Sequence, residues 1–152
     1  MAFDIAAMIP HRPPFLWVDR IIRLDHEGIV AEKDLASNLE LYQGHYPQQP
    51  ITPGVILCEA VFQAGALLIA HLLAAEGRAT SGVPVLTRIY GAKFKRQVPP
   101  GSTIVLEARL LERVGLAWIL KGKVTLAGKT AVSVEFGCAE SPPLSQVPSP
   151  TP

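Results

Sequence analysis

Two residues of this sequence, His45 and Glu59, combine side-chain types and surroundings that point to proton-transfer chemistry. His45 lies in a loop with prolines at positions 47, 50 and 53, and each proline fixes its own φ and biases the preceding residue toward extended geometry. Glu59 lies in a long apolar segment, where a carboxyl group is costly unless it is paired or neutral. An imidazole can act as a base near neutral pH, and a carboxyl group among apolar side chains favours its protonated form. The pair could therefore supply a base and an acid to one reaction.

The segment that carries Glu59 predicts a helix that begins at Gly54 and ends near Gly77. It is apolar on nearly every side, which is typical of a buried helix, and Gln63 lies one turn after Glu59 on the same face. A membrane span needs about 20 apolar residues. We expect no span here, because polar side chains interrupt the segment and no charged flanks accompany it. Two interpretations remain open: a core helix with a hydrogen-bonded glutamate, and a core helix whose glutamate works with His45.

The composition of the chain fits one globular domain with a substantial core. The chain has 152 residues, of which 49% are hydrophobic, and a formal net charge of +1. This hydrophobic fraction exceeds what a small monomer needs, so we expect part of it to be buried between subunits, and the near-neutral charge argues against a dedicated nucleic-acid binder. Cys58 and Cys138 match no zinc-binding or thioredoxin-like spacing, and the N-terminal residues lack the pattern of a signal peptide. We therefore expect a reducing, cytoplasmic setting.

One stretch of the sequence is markedly basic. Between Gly77 and Leu106 there are five basic residues and no acidic one. The basic residues are Arg78, Arg88, Lys93, Lys95 and Arg96. A solvated face and a docking patch for an acidic partner are both consistent with this distribution.

Much of the remaining chain predicts β-strands. Strands are expected over residues 16–24, 29–36 and 85–98. From residue 103 to residue 136, apolar and polar residues alternate in three further segments, so each segment has one apolar and one more polar face. A curved antiparallel sheet would cover the single long helix on most sides, which gives an α+β architecture. We expect one domain over residues 1–138 and a disordered, proline-rich tail over residues 139–152.

Three segments of the chain, in the same order, resemble a known family. They are PHRPPFLWVDRI at 10–21, GHYPQQPITPGVILCEAVFQAG at 44–65 and AKFKRQVPPGS at 92–102. All three resemble the bacterial (3R)-3-hydroxyacyl-acyl carrier protein dehydratases of the FabZ type, and the resemblance extends from about Ile5 to Phe136. It implies a hot-dog fold, in which a long central helix is wrapped by a curved antiparallel sheet. It also implies a homodimer whose sheets join edge to edge, with a trimer of dimers as a further assembly.

The resemblance implies a reaction and a role for each candidate residue. The reaction is the reversible dehydration of a 3-hydroxyacyl thioester to the trans-2-enoyl form in fatty acid biosynthesis. His45 of one subunit would take a proton from C2, and Glu59 of the other would protonate the departing C3 hydroxyl. The backbone N–H of Gly54, at the positive end of the helix, would stabilise charge on the thioester oxygen. No metal or redox cofactor is required.

Further residues are expected to support the site. Gln63 would orient Glu59, and His11 and Arg12 would order the loop beside it. The group that would suit an acidic acyl carrier protein and its phosphate consists of Arg88, Lys93, Lys95 and Arg96.

Two other functions are consistent with a hot-dog fold. One is an acyl thioesterase, which would direct water at the carbonyl carbon, and the other is a non-catalytic module that binds an acyl chain or carrier protein. The presence of both His45 and Glu59 favours dehydration over either. The sequence leaves open the acyl chain length, carrier protein against coenzyme A as the thiol, and the pathway that the product enters.

Overall fold

The long apolar segment forms the central helix, and the chain around it supplies an antiparallel sheet. The computed structural model describes residues 2–78 and 83–141. The helices are α1 (Ile5–Met8), α2 (Leu41–Gly44) and α3 (Gly54–Ala75). The strands are β1 (Arg20–Leu24), β2 (Gly28–Asp34), β3 (Val83–Phe94), β4 (Thr103–Val114), β5 (Ala117–Leu126) and β6 (Lys129–Ser141). They form a six-stranded sheet in the order β1-β2-β4-β5-β6-β3, in which every neighbouring pair is antiparallel. The predicted α+β architecture is confirmed.

Helix α3 is the centre of the core. Its length and composition alone would allow it to cross a membrane, but 67% of an 18-residue apolar window within it is buried inside the fold. It packs against β2, β3, β4, β5 and β6. Its fully buried side chains include Val61, Leu67, Leu68 and Ile69. A helix that is apolar on every side needs cover all round, and here the curved sheet supplies it.

Strands β4 and β5 place their apolar residues on the side of the sheet that faces α3. The buried residues of these strands are Ile104, Leu106, Ala108, Trp118, Leu120 and Val124. The register pairs Leu106 with Val124, so apolar side chains meet across the two strands. Between them, Glu107 and Lys123 alternate to the outer face, where they form an ion pair at 3.3 Å. The alternation predicted for residues 103–136 is therefore confirmed for these two strands.

Three strands begin or end at other residues than predicted. Strand β2 runs over Gly28–Asp34, not over 29–36. Strand β1 begins at Arg20, not at residue 16, and before it the N–H of Trp17 donates to Gln63 of helix α3 and not to a strand. Strand β3 runs over Val83–Phe94, not over 85–98. The chain after β3 turns to other partners, and the carbonyl of Val98 accepts from the N–H of Thr52 at 2.8 Å.

The C-terminal end of the domain also differs from the prediction. Strand β6 continues to Ser141, pairing with β3 through the register Val83–Ser141. Residues 139–141, predicted as part of the tail, are therefore strand. The rest of the predicted tail, 142–152, lies outside the described residues.

Candidate active site

His45 is held with one ring nitrogen bonded and the other available. It follows the short helix α2, and its Nδ1 lies 3.0 Å from the carbonyl oxygen of Ile51. A carbonyl oxygen can only accept, so Nδ1 carries the proton and Nε2 keeps its lone pair. The ring of Tyr46 packs edge-on against the imidazole, with the ring centroids 4.7 Å apart. This arrangement fixes the tautomer in which Nε2 can accept a proton.

The loop that carries His45 is anchored at two points. The Tyr42 hydroxyl and the Thr52 hydroxyl are hydrogen-bonded at 2.7 Å, and both side chains are buried. Burial raises the pKa of Tyr42 above its usual range, so it remains a neutral phenol. Thr52 is also tied through its N–H to Val98. Because these anchors lie on both sides of the proline-rich segment, the position of the imidazole is set by the core.

Glu59 is oriented by an amide on the next turn of α3. Gln63 is only 1% exposed, and its Nε2 donates to Glu59 Oε1 at 3.1 Å and to the carbonyl of Phe15 at 3.0 Å. Its Oε1 accepts from the N–H of Trp17 at 2.8 Å. This last bond fixes which way the amide points, because a backbone N–H can only donate. Gln63 therefore presents a donor to Glu59.

The carboxyl group of Glu59 is less enclosed than the apolar segment predicts. Its side chain is 24% exposed, and His11 Nε2 lies 3.8 Å from its Oε1. The prediction of a helix buried on every side is therefore wrong at Glu59 in a single chain. Burial, and then the charge of Glu59, raise the pKa of the Cys138 thiol on β6 to about 12.

Arg12 orders the loop that brings His11 to this place. Its guanidinium donates to the carbonyl oxygens of Ala6 at 2.7 Å, Ile9 at 2.8 Å and His11 at 2.7 Å. These bonds close the loop between α1 and the segment that contacts α3. The contact between His11 and Glu59 was not among the sequence-based predictions, which gave His11 a general role in ordering the loop.

The N-terminus of α3 is covered by an aromatic ring that sequence reasoning missed. Gly54 is the first residue of the helix, and its N-cap, Pro53, offers no side-chain acceptor to the first N–H groups. A Cβ atom at Gly54 would lie 2.7 Å from two ring atoms of Phe94, at the end of β3. A larger residue at position 54 would therefore force the Phe94 ring to move, so a substrate is not the only group that approaches this glycine closely. The signal was available, since Phe94 lies inside the third motif.

Within one chain, His45 and Glu59 form no direct ion pair. Among the described residues, the nitrogens of His45 are not within 4.0 Å of the Glu59 carboxyl oxygens. Each has its own local partners, Ile51 for His45, and Gln63 with His11 for Glu59. The two side chains are therefore oriented separately by the fold.

The four predicted docking residues are all exposed. Lys93 and Lys95 line a groove of about 510 Å³ on the outer face of the sheet, together with Lys121 and Lys123. Arg88 lies over the ring of Tyr90, 5.3 Å from its centroid, and Tyr90 lines the same groove. The groove therefore includes two lysines that the sequence analysis did not select.

No metal-binding cluster is formed by the part of the chain that the structure describes. In residues 2–78 and 83–141, no three histidine, cysteine, aspartate or glutamate side chains are gathered as metal ligands would be. Cys58 and Cys138 are buried free thiols, and burial raises the pKa of both. The ionisable groups at the site are therefore those of His45, Glu59 and His11.

A long helix wrapped by an antiparallel sheet, with a histidine in the loop before the helix and a glutamate on its second turn, defines an acid–base protein of the hot-dog class. The family model described as a FabA-like domain matches residues 9–135. The 3-hydroxyacyl-[acyl-carrier-protein] dehydratase FabZ of Anaeromyxobacter dehalogenans is 38% identical over 133 residues, covering 87% of this chain and 85% of the relative. FabZ of Xanthomonas oryzae is 36% identical, covering 90% and 89%. The chain belongs to the FabA-like family.

Solved structures share the fold at low sequence identity. The dehydratase heterocomplex ApeI:P of Xenorhabdus doucetiae has a TM-score of 0.79 at 14% identity, covering 93% of each chain. A hypothetical thioesterase of Streptococcus pneumoniae, solved with coenzyme A, has a TM-score of 0.63 at 9% identity, covering 90% of this chain and 91% of that one. These likenesses concern the fold alone, and they confirm the predicted hot-dog architecture.

Proposed function

We propose that this protein catalyses the reversible dehydration of (3R)-3-hydroxyacyl-acyl carrier protein to the trans-2-enoyl form in fatty acid biosynthesis. Membership of the FabA-like family and the names of the FabZ relatives support this reaction. The observation that carries the proposal is the bond from His45 Nδ1 to the Ile51 carbonyl. It leaves Nε2 as a base, which proton abstraction at C2 requires and simple acyl binding does not.

The proposed reaction uses one proton acceptor and one proton donor. His45 Nε2 takes the proton from C2, and the electron pair of that bond forms the double bond to C3 as the C3–O bond breaks. Glu59 protonates the departing hydroxyl, which leaves as water. The N–H of Gly54, at the positive end of α3, stabilises the charge that develops on the thioester oxygen. No step consumes an external oxidant or reductant.

A homodimer would complete the site. Strand β3 is an edge strand of the sheet, and it carries a row of exposed large apolar residues. They are Val85, Leu86, Ile89, Tyr90 and Phe94. An exposed edge strand with such a row of apolar residues is a template for pairing with another strand. We propose that two copies pair along β3, so that His45 of one chain meets Glu59 of the other, and that dimers of this kind can assemble in threes.

The acyl carrier is the proposed partner, in a cytoplasmic setting. Carrier proteins are acidic, and the groove lined by Lys93, Lys95, Lys121 and Lys123 has a positive balance against one glutamate, Glu135. Arg88 and Arg96, also exposed, extend the basic character of this side. We therefore propose the carrier protein, and not coenzyme A, as the natural thiol.

Replacement of His45 by Ala tests the function directly. Purified protein is incubated with a 3-hydroxyacyl thioester, and enoyl product and free thiol are both measured. We expect enoyl product from the wild type and a loss of about 100- to 10,000-fold in the variant, since that is what a general base contributes. His26→Ala, in the exposed β1–β2 turn, is the matched control and should keep full activity. Free thiol from the wild type would indicate a thioesterase, and neither product would indicate a binding module.

A further inference from the structure

His11 and Glu59 lie side by side within one chain, independently of any partner subunit. His11 Nε2 is 3.8 Å from Glu59 Oε1, and among residues 2–78 and 83–141 no other titratable nitrogen lies within 4.0 Å of that carboxyl group. We propose that His11 is a positioning residue for Glu59. As a neutral imidazole with its proton on Nε2, it directs an N–H toward Oε1 and stabilises the carboxylate that remains after proton donation. This inference rests on the proposed function.

The surroundings of the other ring nitrogen identify the tautomer. His11 Nδ1 is buried and has no hydrogen-bond partner among the described residues. A buried N–H that lacks an acceptor costs more free energy than a buried nitrogen acceptor that lacks a donor. Unpaired buried donors are accordingly rarer in proteins than unpaired buried acceptors. The proton therefore belongs on Nε2, which faces Glu59.

Two donors converge on the same oxygen of the acid. Gln63 Nε2 donates to Glu59 Oε1, and His11 Nε2 faces that oxygen as well. In the neutral acid, the oxygen that accepts from donors is the carbonyl oxygen, so the transferable proton is carried by Oε2. When that proton passes to the C3 hydroxyl and the C3–O bond breaks, Glu59 becomes a carboxylate whose new charge is shared with Oε1. A separation of 3.8 Å is longer than a hydrogen bond, but contacts of this kind shorten once charge develops.

The other charged and titratable groups near His11 and Glu59 do not act as donors to the Glu59 carboxylate. Arg12, in the same loop, directs its guanidinium to the carbonyls of Ala6, Ile9 and His11. On β6, Cys138 has a pKa raised to about 12, mainly by burial and then by the charge of Glu59, so it stays a neutral thiol. On α3, burial likewise raises the pKa of Cys58. Under the proposed function, His45 of the neighbouring subunit faces the substrate from the opposite side.

The pair His11→Gln and His11→Asn tests this inference with two polar variants. The amide nitrogen of Gln reaches the place of Nε2, whereas that of Asn reaches only the place of Nδ1. We expect His11→Asn to lose about 10- to 100-fold in kcat, the contribution of a hydrogen bond to a charged group, with KM changed by less than about threefold. His11→Gln should keep kcat within about threefold of the wild type. His26→Ala again serves as the control for loss of an imidazole.

The division of the effect between kcat and KM separates a positioning role from a structural one. A donor that acts only on the charge formed at Glu59 during the reaction affects kcat and leaves KM unchanged, whereas a disturbed loop beside the site changes both. The Asn variant should therefore lose kcat alone, and the Gln variant should recover it. Equal kcat values for the two variants, whether both are active or both impaired, would overturn the role of His11. A wild-type protein that forms no enoyl product would instead overturn the proposed function, and this inference with it.

Discussion

Gln63 shows how one buried amide links the geometry of the acid to the stability of the domain. The two polar side-chain atoms of Gln63 form three hydrogen bonds, to Trp17, Phe15 and Glu59. The bonds to Trp17 and Phe15 connect α3 to the segment before β1. That segment is extended but has no strand partner at Trp17, so its backbone groups depend on the amide. The orientation of Glu59 and the closure of the N-terminal segment over the core are therefore one structural feature.

Replacement of Gln63 by Leu should destabilise the protein strongly. The leucine fits the volume, but the N–H of Trp17 loses its partner in a buried place and the carbonyl of Phe15 loses its partner in a partly buried one. With about 1–3 kcal/mol for each unsatisfied buried group, we expect a loss of about 2–4 kcal/mol in the free energy of unfolding. Urea unfolding at one fixed protein concentration measures it. Gln48→Leu, at an exposed position, should change stability by less than about 0.5 kcal/mol, and equal losses in both variants would contradict the role of Gln63.

For individual residues, the sequence predicts candidate catalytic side chains better than it predicts which side chains are in contact. His45 and Glu59 stand out because a histidine in a proline-stiffened loop and a carboxyl group in an apolar helix are each unusual. The contact of His11 with Glu59 could not be predicted in the same way, since it depends on how Arg12 closes the loop through three backbone carbonyls. Phe94 over Gly54 likewise depends on where strand β3 ends.

Among the elements, the crossing of α3 over the sheet is set by two glycines. A Cβ at Gly65 of α3 would lie 2.9 Å from the ring of Phe136. A Cβ at Gly122 of β5 would lie 2.4 Å from Val61 Cγ1 and 2.5 Å from the carbonyl oxygen of Glu107. The helix can therefore approach the sheet closely only where side chains are missing. This close approach sets the distance between the sheet and helix α3, which carries Glu59.

Gly122→Ala should destabilise the domain by about 1–3 kcal/mol through overpacking. The carbonyl of Glu107 belongs to the neighbouring strand β4 and cannot move without disturbing the ladder, so the methyl group must push α3 outward. Thermal or denaturant unfolding measures the loss. Gly44→Ala is the matched control, because a Cβ there has no heavy atom within 4 Å, and its stability should equal that of the wild type or exceed it slightly. Equal stability of the two variants would mean that the close approach at Gly122 is unimportant.

The elements were predictable to different degrees for a physical reason. The long helix was found almost to the residue, Gly54–Ala75, because its apolar sequence is continuous and bounded by Pro53 and Gly77. The alternation of β4 and β5 was equally clear. Strands β1 and β2 were misjudged at their ends, and β3 was misjudged at both of its ends. At Trp17 and Val98, hydrogen bonds to α3 and to Thr52 replace the strand pairing that residue types alone suggest. Local pattern predicts an element, but tertiary partners decide where it stops.

For the whole molecule, the proposed reaction depends on how two copies of the chain assemble. The proposed base, His45, and the proposed acid, Glu59, form no ion pair within the described residues of one chain. The apolar edge of β3 is exposed, and Phe94 at its end lies over the N-terminus of α3. Pairing along β3 would bury this edge and bring a second chain to the start of α3. The proposed pairing along β3 would therefore connect dimer formation with completion of the active site. The periodicity of the sequence alone does not predict this connection.

A shared site predicts that two inactive variants restore activity in one heterodimer. His45→Ala and Glu59→Gln should each be inactive alone. In a heterodimer of the two, one site combines the intact His45 of one chain with the intact Glu59 of the other, and the second site lacks both. We expect about half of the wild-type activity per dimer, because a two-fold dimer has two equivalent sites. Co-expression with two affinity tags isolates the heterodimer, and enoyl formation is measured.

The reciprocal heterodimer makes the test decisive. When the double variant is paired with wild type, a site shared between chains always lacks one group, so this heterodimer should be inactive. A site contained within one chain would reverse both results, since the wild-type chain would work alone and the two single variants could not complement each other. The two heterodimers contain the same four side chains and differ only in their distribution between subunits. The comparison therefore depends on assembly alone, and not on the cost of either substitution to folding.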